Sequence, residues 1–282
     1  MNINQDTLTF GSDLHLRTHW FVPESMNHPA KLHLGLLHWL VELYTRPGDT
    51  IADPMCGIGS ILYAATLQRT VIATEIEPRW LAIAHKNAAH LLSNGGLFLG
   101  TLSVGQQDAC EPWGYRADHI LFSPPYGNEA NTTDSKHRGL AYRLQTGKID
   151  SGSRWAAYLA KPTNGSSAVV SFHYGTHPAQ MGHFRGNRYW QAMTDIYQNA
   201  YAALGHGYLI LIVKDHIAQG QRIRTADETV TLCERLGFVS VARHVRLLTC
   251  LSLWQRRRRE QGLPVVEEED VLVFKKRRAN SE

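Results

Sequence analysis

From residue 50 onward the apolar positions fall into two alternating patterns: short continuous runs of strand length, and longer stretches with apolar residues at helical spacing. Residues 50–52 form a short apolar strand ending in Asp53, and 61–68 reads as the helix after a glycine turn. A second strand, 70–74, ends at Glu75. From Pro78, a first-turn proline, the residues Leu81, Ala84, Ala88 and Leu91 mark an amphipathic helix that Asn94, Gly95 and Gly96 stop. A third strand ends near Asp108, and 119–122 is a fourth. Pro124 and Pro125 then forbid both helix and central strand, so the chain must turn. Residues 127 to about 186 lose periodicity and gain Gly, Ser, Asn and Thr, and loops of that length are usually functional or disordered. Order returns with a helix over 188–204, an apolar strand over 208–213, a helix over 225–236 stopped by Gly237, and an antiparallel pair formed by 238–245 and 271–274. Strands alternating with helices predict an α/β fold around a parallel sheet. The expected organisation is one domain, 1–282, with 128–187 as a lid or recognition insertion after the fourth strand.

Composition narrows the setting. With 282 residues and 43% hydrophobic content the chain can bury one substantial core. Its first twenty residues have neither a basic start nor an apolar stretch, so no targeting leader is expected, and no run approaches the roughly 20 apolar residues of a membrane span. Cys56, Cys110, Cys233 and Cys250 are scattered without a C-x-x-C pair, which argues against a zinc knuckle or a disulfide framework and fits a reducing cytoplasm. The fifteen histidines include no H-E-x-x-H pattern, and no metal is expected. A net charge of +4 permits an anionic partner without demanding one. Between residues 128 and 190, however, eight basic residues stand against three acids.

Two motifs carry chemistry. The run Asp53, Pro54, Met55, Cys56, Gly57, Ile58, Gly59, Ser60 lies between strand and helix, where glycines let the backbone approach a ligand and a helix start offers free N–H groups. Glu75, at the next strand end, is placed to bind the ribose hydroxyls of a nucleotide-like cofactor, and Asp108, at the third, to bind an adenine amino group. The second motif, Ser123, Pro124, Pro125 and Tyr126, follows the fourth strand. An exocyclic amine of a base is a poor nucleophile because its lone pair is delocalised into the ring. Acceptors for its two N–H groups, here the Ser123 hydroxyl and the Pro124 carbonyl, favour a pyramidal nitrogen, and Tyr126 offers a face for an extruded base.

Together these motifs resemble the class I S-adenosylmethionine-dependent amino-methyltransferases of nucleic acids, and the serine form of the catalytic motif is similar to the N4-cytosine DNA methyltransferases. With the cofactor motif preceding the catalytic one, the chain is similar to the gamma arrangement. The resemblance implies a Rossmann-like fold with a mostly parallel seven-stranded sheet and helices on both faces, S-adenosylmethionine as cofactor, and DNA as partner for a site-specific enzyme. It also implies cofactor contacts from His28, Pro29, Ala30 and Lys31, from the glycine motif, from Ile76 beside Glu75, from Ala109 beside Asp108, and from Ser123. Target contacts are expected from Lys136, Arg138, His173, Tyr174, His183, Phe184 and Arg185 in the insertion and from Arg188 just after it. Adenine N6 in DNA, guanine N2 in RNA, and a non-catalytic nucleic-acid-binding protein remain open alternatives, as do monomer and homodimer. Amino-methyltransferases of RNA share the proline-proline-tyrosine-glycine run that Gly127 completes.

Overall fold

The computed structural model describes residues 5–28, 30–96, 99–125, 175–218, 220–249 and 253–277. The elements in chain order are β1 (Gln5–Thr9), α1 (Leu14–Trp20), α2 (Leu34–Tyr44), β2 (Thr50–Asp53), a 3₁₀ helix (Ser60–Leu67), β3 (Thr70–Glu75), α3 (Pro78–Asn94), β4 (Leu102–Gln106) and β5 (His119–Phe122). After a 3₁₀ turn, Met181–His183, follow α4 (Gly186–Ala203), β6 (Leu209–Val213), β7 (His216–Ala218), β8 (Gln221–Ile223), α5 (Thr225–Arg235), β9 (Phe238–Leu247), α6 (Leu253–Glu260) and β10 (Glu268–Lys276).

The main sheet has the order β1-β9-β10-β6-β5-β2-β3-β4, with β7 and β8 as a separate hairpin. Strands β2 to β6 are mutually parallel, and β10 runs antiparallel between β6 and β9. The seven strands expected from the sequence are therefore eight. The addition is β1, which pairs in parallel with β9 at the sheet edge.

Alternation of side chains assigns each strand residue to one of two cores. Ile120 and Phe122, Leu209 and Leu211, and Leu272 and Phe274 enter the layer filled by α4 and α5. Ile51, Leu121, Ile210, Ile212, Val271 and Val273 enter the opposite layer with α2, the 3₁₀ helix and α3. Helix α3 shows why a helix forms where periodicity put it: Pro78 occupies the first turn, Trp80, Ala84, Ala88 and Leu91 are buried on one face, and the chain leaves at Gly95. The segment after the glycine turn is a 3₁₀ helix instead of an α-helix. Its SILYAATL sequence is buried from Ser60 through Ala65, so it lacks the polar face an amphipathic pattern would show.

Strand β2 lies between β3 and β5, so the path that runs outward from β2 through β3 to β4 returns to its other side with β5. This reversal opens a crevice at the carboxyl ends of β2 and β5, the place where open α/β sheets take their ligands. The first part of the expected insertion, and its centre, lie outside the described residues. Its end is already regular: α4 begins at Gly186.

Candidate active site

Asp53 ends β2 and folds the chain back on itself, its Oδ1 accepting the Met55 N–H at 2.9 Å. The turn then leans on β3 through Cys56 N–H to the Thr74 carbonyl, 2.9 Å. Gly57 has φ +57°, and a Cβ there would lie 3.0 Å from His28 Nε2, so the backbone is bare where it meets the cavity. Gly59, at φ +79°, starts the 3₁₀ helix. Behind the turn, Asn87 of α3 donates to the Ile58 carbonyl at 2.7 Å and accepts from Val22 N–H and Ser25 Oγ at 2.9 and 3.0 Å. This fully buried amide locks the glycine turn to the N-terminal segment, a role that no sequence motif announced.

The three acids fall at successive strand ends. Glu75 accepts the Gly57 N–H at 2.8 Å on one oxygen and the Glu77 N–H at 2.9 Å on the other. Each oxygen keeps a further lone pair for a ligand hydroxyl. Burial pushes the Asp53 carboxyl up to about 8, with the neighbouring Glu75 charge adding to the shift and the Met55 N–H opposing it. Burial also raises Glu75, against the pull of the backbone N–H groups of Glu77, Gly57 and Ile76. Asp108, just beyond β4, accepts the Cys110 N–H at 2.9 Å.

The opposite wall comes from the segment before β2. His28 is buried with its ring edge-on to Trp80 at 4.5 Å, and burial drives its pKa down to about 3, so the ring is neutral. Its Nδ1 pairs with the backbone of Ala30. Lys31 donates to the His28 carbonyl at 2.7 Å, and burial, aided by the charge of Arg17, lowers it to about 8. Arg17, itself buried, pairs with Asp13 at 2.9 Å, reaches Ser60 Oγ at 3.4 Å and bonds the Leu32 carbonyl.

Ser123 follows β5, and its hydroxyl donates to the Ile212 carbonyl of β6 at 3.0 Å. The hydroxyl proton is thereby committed to the sheet, and the oxygen's lone pairs remain to accept. A cavity of about 560 Å³ joins these parts. It is lined by His28, Ala30, Lys31, Asp53, Pro54, Met55, Cys56, Gly57 and Ser60, by Glu75 and Ile76, by Asp108 and Ala109, and by Ser123, Pro124 and Pro125. Of the residues expected at the cofactor, Gly59 shapes the turn without lining the cavity, and Pro29 lies outside the described residues, as does Tyr126. Lys136, Arg138, His173 and Tyr174 also lie outside them. Arg185 and Arg188 are exposed and do not line the cavity; Arg188 instead packs its guanidinium 3.9 Å from the centre of the Phe184 ring. Sequence reasoning missed Trp80, Gln180, Met181, Lys214, Arg246 and Glu269, all of which line the cavity. Trp80 had a findable signal, since it stands in the first turn of the helix after Glu75.

The crevice, the glycine turn and the strand order define a class I S-adenosylmethionine-dependent methyltransferase fold. A solved SAM-dependent methyltransferase from Methanosarcina mazei superposes with a TM-score of 0.51 at 12% identity, covering 89% of this chain and all of that one. TrmN from Thermus thermophilus matches at 19% identity with a TM-score of 0.46, over 88% of this chain and 50% of that one. Within this class, residues 10–86 match the family described as DNA methylase. A 72-residue stretch is 35% identical to the Type II methyltransferase M.BglI of Bacillus subtilis, covering 24% of this chain. That stretch spans 21% of the relative's length. The chain thus resembles the DNA methylases over residues 10–86, the segment that carries the glycine motif and Glu75.

Proposed function

We propose that this chain is an S-adenosylmethionine-dependent DNA methyltransferase acting on the exocyclic amine of an extruded base, with cytosine N4 as its target. The observation that carries the reading is the position of Ser123: its hydroxyl proton is held by the Ile212 carbonyl while its oxygen lines the same cavity as Asp53, Glu75 and Asp108. The residues fit the cofactor. A bare backbone at Gly57, a carboxylate at Glu75 with acceptor capacity to spare, and the half-buried cation Lys31 offer partners for its backbone, ribose and carboxylate groups. S-adenosylmethionine supplies an electrophilic methyl group when bound.

The chain's own part is positioning. Ser123 Oγ and the Pro124 carbonyl accept the two amine N–H groups, which draws those bonds out of the base plane and localises the lone pair on a pyramidal nitrogen. Rate then comes from alignment and from fixed acceptors that need no reorganisation, contributions of the kind that reach several kcal/mol. Asp53 is held largely protonated by burial at neutral pH and can donate as well as accept. The serine at the head of the motif favours cytosine over adenine. Incubating the protein with labelled S-adenosylmethionine and separate DNA and tRNA pools, then identifying the methylated nucleoside by mass spectrometry, tests the reading. N4-methylcytosine in DNA is expected; N6-methyladenine in DNA would change the base, and N2-methylguanosine in tRNA would overturn the DNA assignment.

A further inference from the structure

Helix α6 carries four consecutive arginines, Arg256 to Arg259, and they are not equivalent. Gln255 donates to the Val266 carbonyl at 3.3 Å and Arg258 Nε to the Pro264 carbonyl at 3.2 Å, while Leu263 N–H returns to the Arg258 carbonyl at 2.9 Å. One face of the helix is therefore fastened to the chain that leads into β10. Arg256 and Arg259, three positions apart and so neighbours on one face, instead line a groove with Leu248 and Thr249, with Glu260 also in its lining. Arg256 is exposed and has no ion-pair partner among the described residues. Arg259 meets Glu267 at 3.3 Å, but its own side chain is open to solvent, and its guanidinium keeps further N–H donors for a second anion.

The floor of this groove is fixed to the sheet. Leu248 N–H donates to the Glu267 carbonyl at 2.8 Å, and Thr249 Oγ1 to the Phe10 carbonyl at 3.3 Å. Leu248 also lines the large cavity, alongside Arg246 and Glu269, so groove and cavity meet at one residue. A surface carrying one unpaired guanidinium, Arg256, and one with donors to spare, Arg259, thus borders the cavity that holds Ser123.

We propose that this groove carries the sugar–phosphate backbone of the DNA strand whose base enters the cavity, with Arg256 and Arg259 on its phosphates. The inference rests on the DNA reading above and adds the path the strand takes. An extruded base leaves its own backbone at the mouth of the pocket, and that backbone needs cations placed beside the entrance. Guanidinium groups meet phosphate oxygens in a fixed, bidentate geometry, and such contacts set register without reading sequence.

The test uses the full chain and a fluorescently labelled mixed-sequence DNA duplex, with binding followed by anisotropy over a range of salt. Each phosphate contact contributes roughly 0.9 to the slope of log K against log salt, so Arg256→Ala/Arg259→Ala should lower that slope by about 2. Affinity for S-adenosylmethionine, measured by calorimetry, should be unchanged, which also shows that the variant is folded. Arg257→Ala, an exposed arginine of the same helix that does not line the groove, should leave the slope within about half a unit of the parent. An unchanged slope in the double variant, or an equal loss in Arg257→Ala, would overturn the groove while leaving methyl transfer to DNA intact. A parent that transfers methyl to RNA and binds no DNA would overturn the DNA reading and this path with it.

Discussion

Glu77 Oε2 accepts the backbone N–H of Thr176 at 2.9 Å, and the next amide, His177, reaches the same oxygen at 3.0 Å. The carboxylate is 4% exposed, so a residue just past β3 holds the chain where it returns toward α4. Ala179, Gln180 and Met181, a few residues on, form part of the cavity wall. Gly175 is forced by the same contact, because a Cβ there would lie 1.8 Å from Glu77 Oε2.

Removing the carboxylate leaves two backbone donors without their acceptor. Glu77→Ala should lower the urea midpoint by an amount equivalent to about 2 kcal/mol, since hydrogen bonds to a charged group contribute about 1.5–3 kcal/mol. Gly175→Ala should show a loss of similar size by expelling the carboxylate. An unchanged midpoint in both variants would mean that the contact contributes nothing to holding the wall.

Ser123→Ala removes one amine acceptor and leaves the Ile212 carbonyl without its donor. On the proposed mechanism kcat should fall by about 10²-fold, the scale seen when one fixed polar partner of a transition state is lost. Cofactor affinity should stay within a factor of about two to three, because the cofactor's other partners remain. Steady-state kinetics with calorimetry separates these outcomes; equal losses in kcat and in cofactor affinity would refute the assignment of Ser123 to the base.

Gly57→Ala places a methyl group 3.0 Å from His28 Nε2 and an L-residue at φ +57°. The left-handed conformation costs about 1–2 kcal/mol for a residue with a Cβ. Cofactor affinity should fall by about tenfold or more as the turn shifts away from His28. Calorimetric titration with S-adenosylmethionine gives the answer, and parent-like affinity would show that the turn does not approach the cofactor.

Lys31 gives a pH dependence. Its pKa in the free protein is lowered to about 8, chiefly by burial and further by Arg17, so the folded state favours the neutral amine above that pH. Its cost to stability is full below about 8, where the amine is charged in both states, and is relieved as pH rises from about 8 through the unfolded value of 10.5. Binding to a ligand carboxylate needs the charged amine, so cofactor affinity should decline as pH rises through about 8. The cofactor's α-amino group titrates in the same range, about 7.7–8.0. Comparison with Lys31→Arg isolates the lysine, and the arginine variant should show the flatter profile. Superimposable profiles would remove Lys31 from carboxylate recognition.

Much of this arrangement was legible because strand ends carry their chemistry locally. Asp53, Glu75 and Ser123 each stand within a residue of a run whose pattern alone marks a strand, and the three strands are adjacent in the sheet. What escaped the sequence depends on partners far along the chain. Strand β1 reads QDTLT, with one apolar residue, and becomes a strand only because β9 offers an open edge. Helices α1 and α2, before the first recognised strand, bring Arg17 and the Lys31 wall to the glycine turn through contacts such as Asn87 to Val22. Arg246 and Glu269 sit on neighbouring antiparallel strands and form a 2.6 Å ion pair at the cavity, which no local spacing could reveal. Within the run Arg256 to Arg259, nothing local distinguishes the two members that turn toward a groove from the one spent on the Pro264 carbonyl.

The edge position of β1 also bears on what the sheet can join. Gln5 registers with Arg243 and Thr9 with Leu247, so β1 docks only across a long separation in sequence, once β9 has its place beside β10. Until then the long strand β9 presents a free ladder of N–H and C=O groups to any neighbour. Five residues with a single apolar side chain thus replace a long exposed ladder with a short one, the kind of edge that is least able to recruit another sheet.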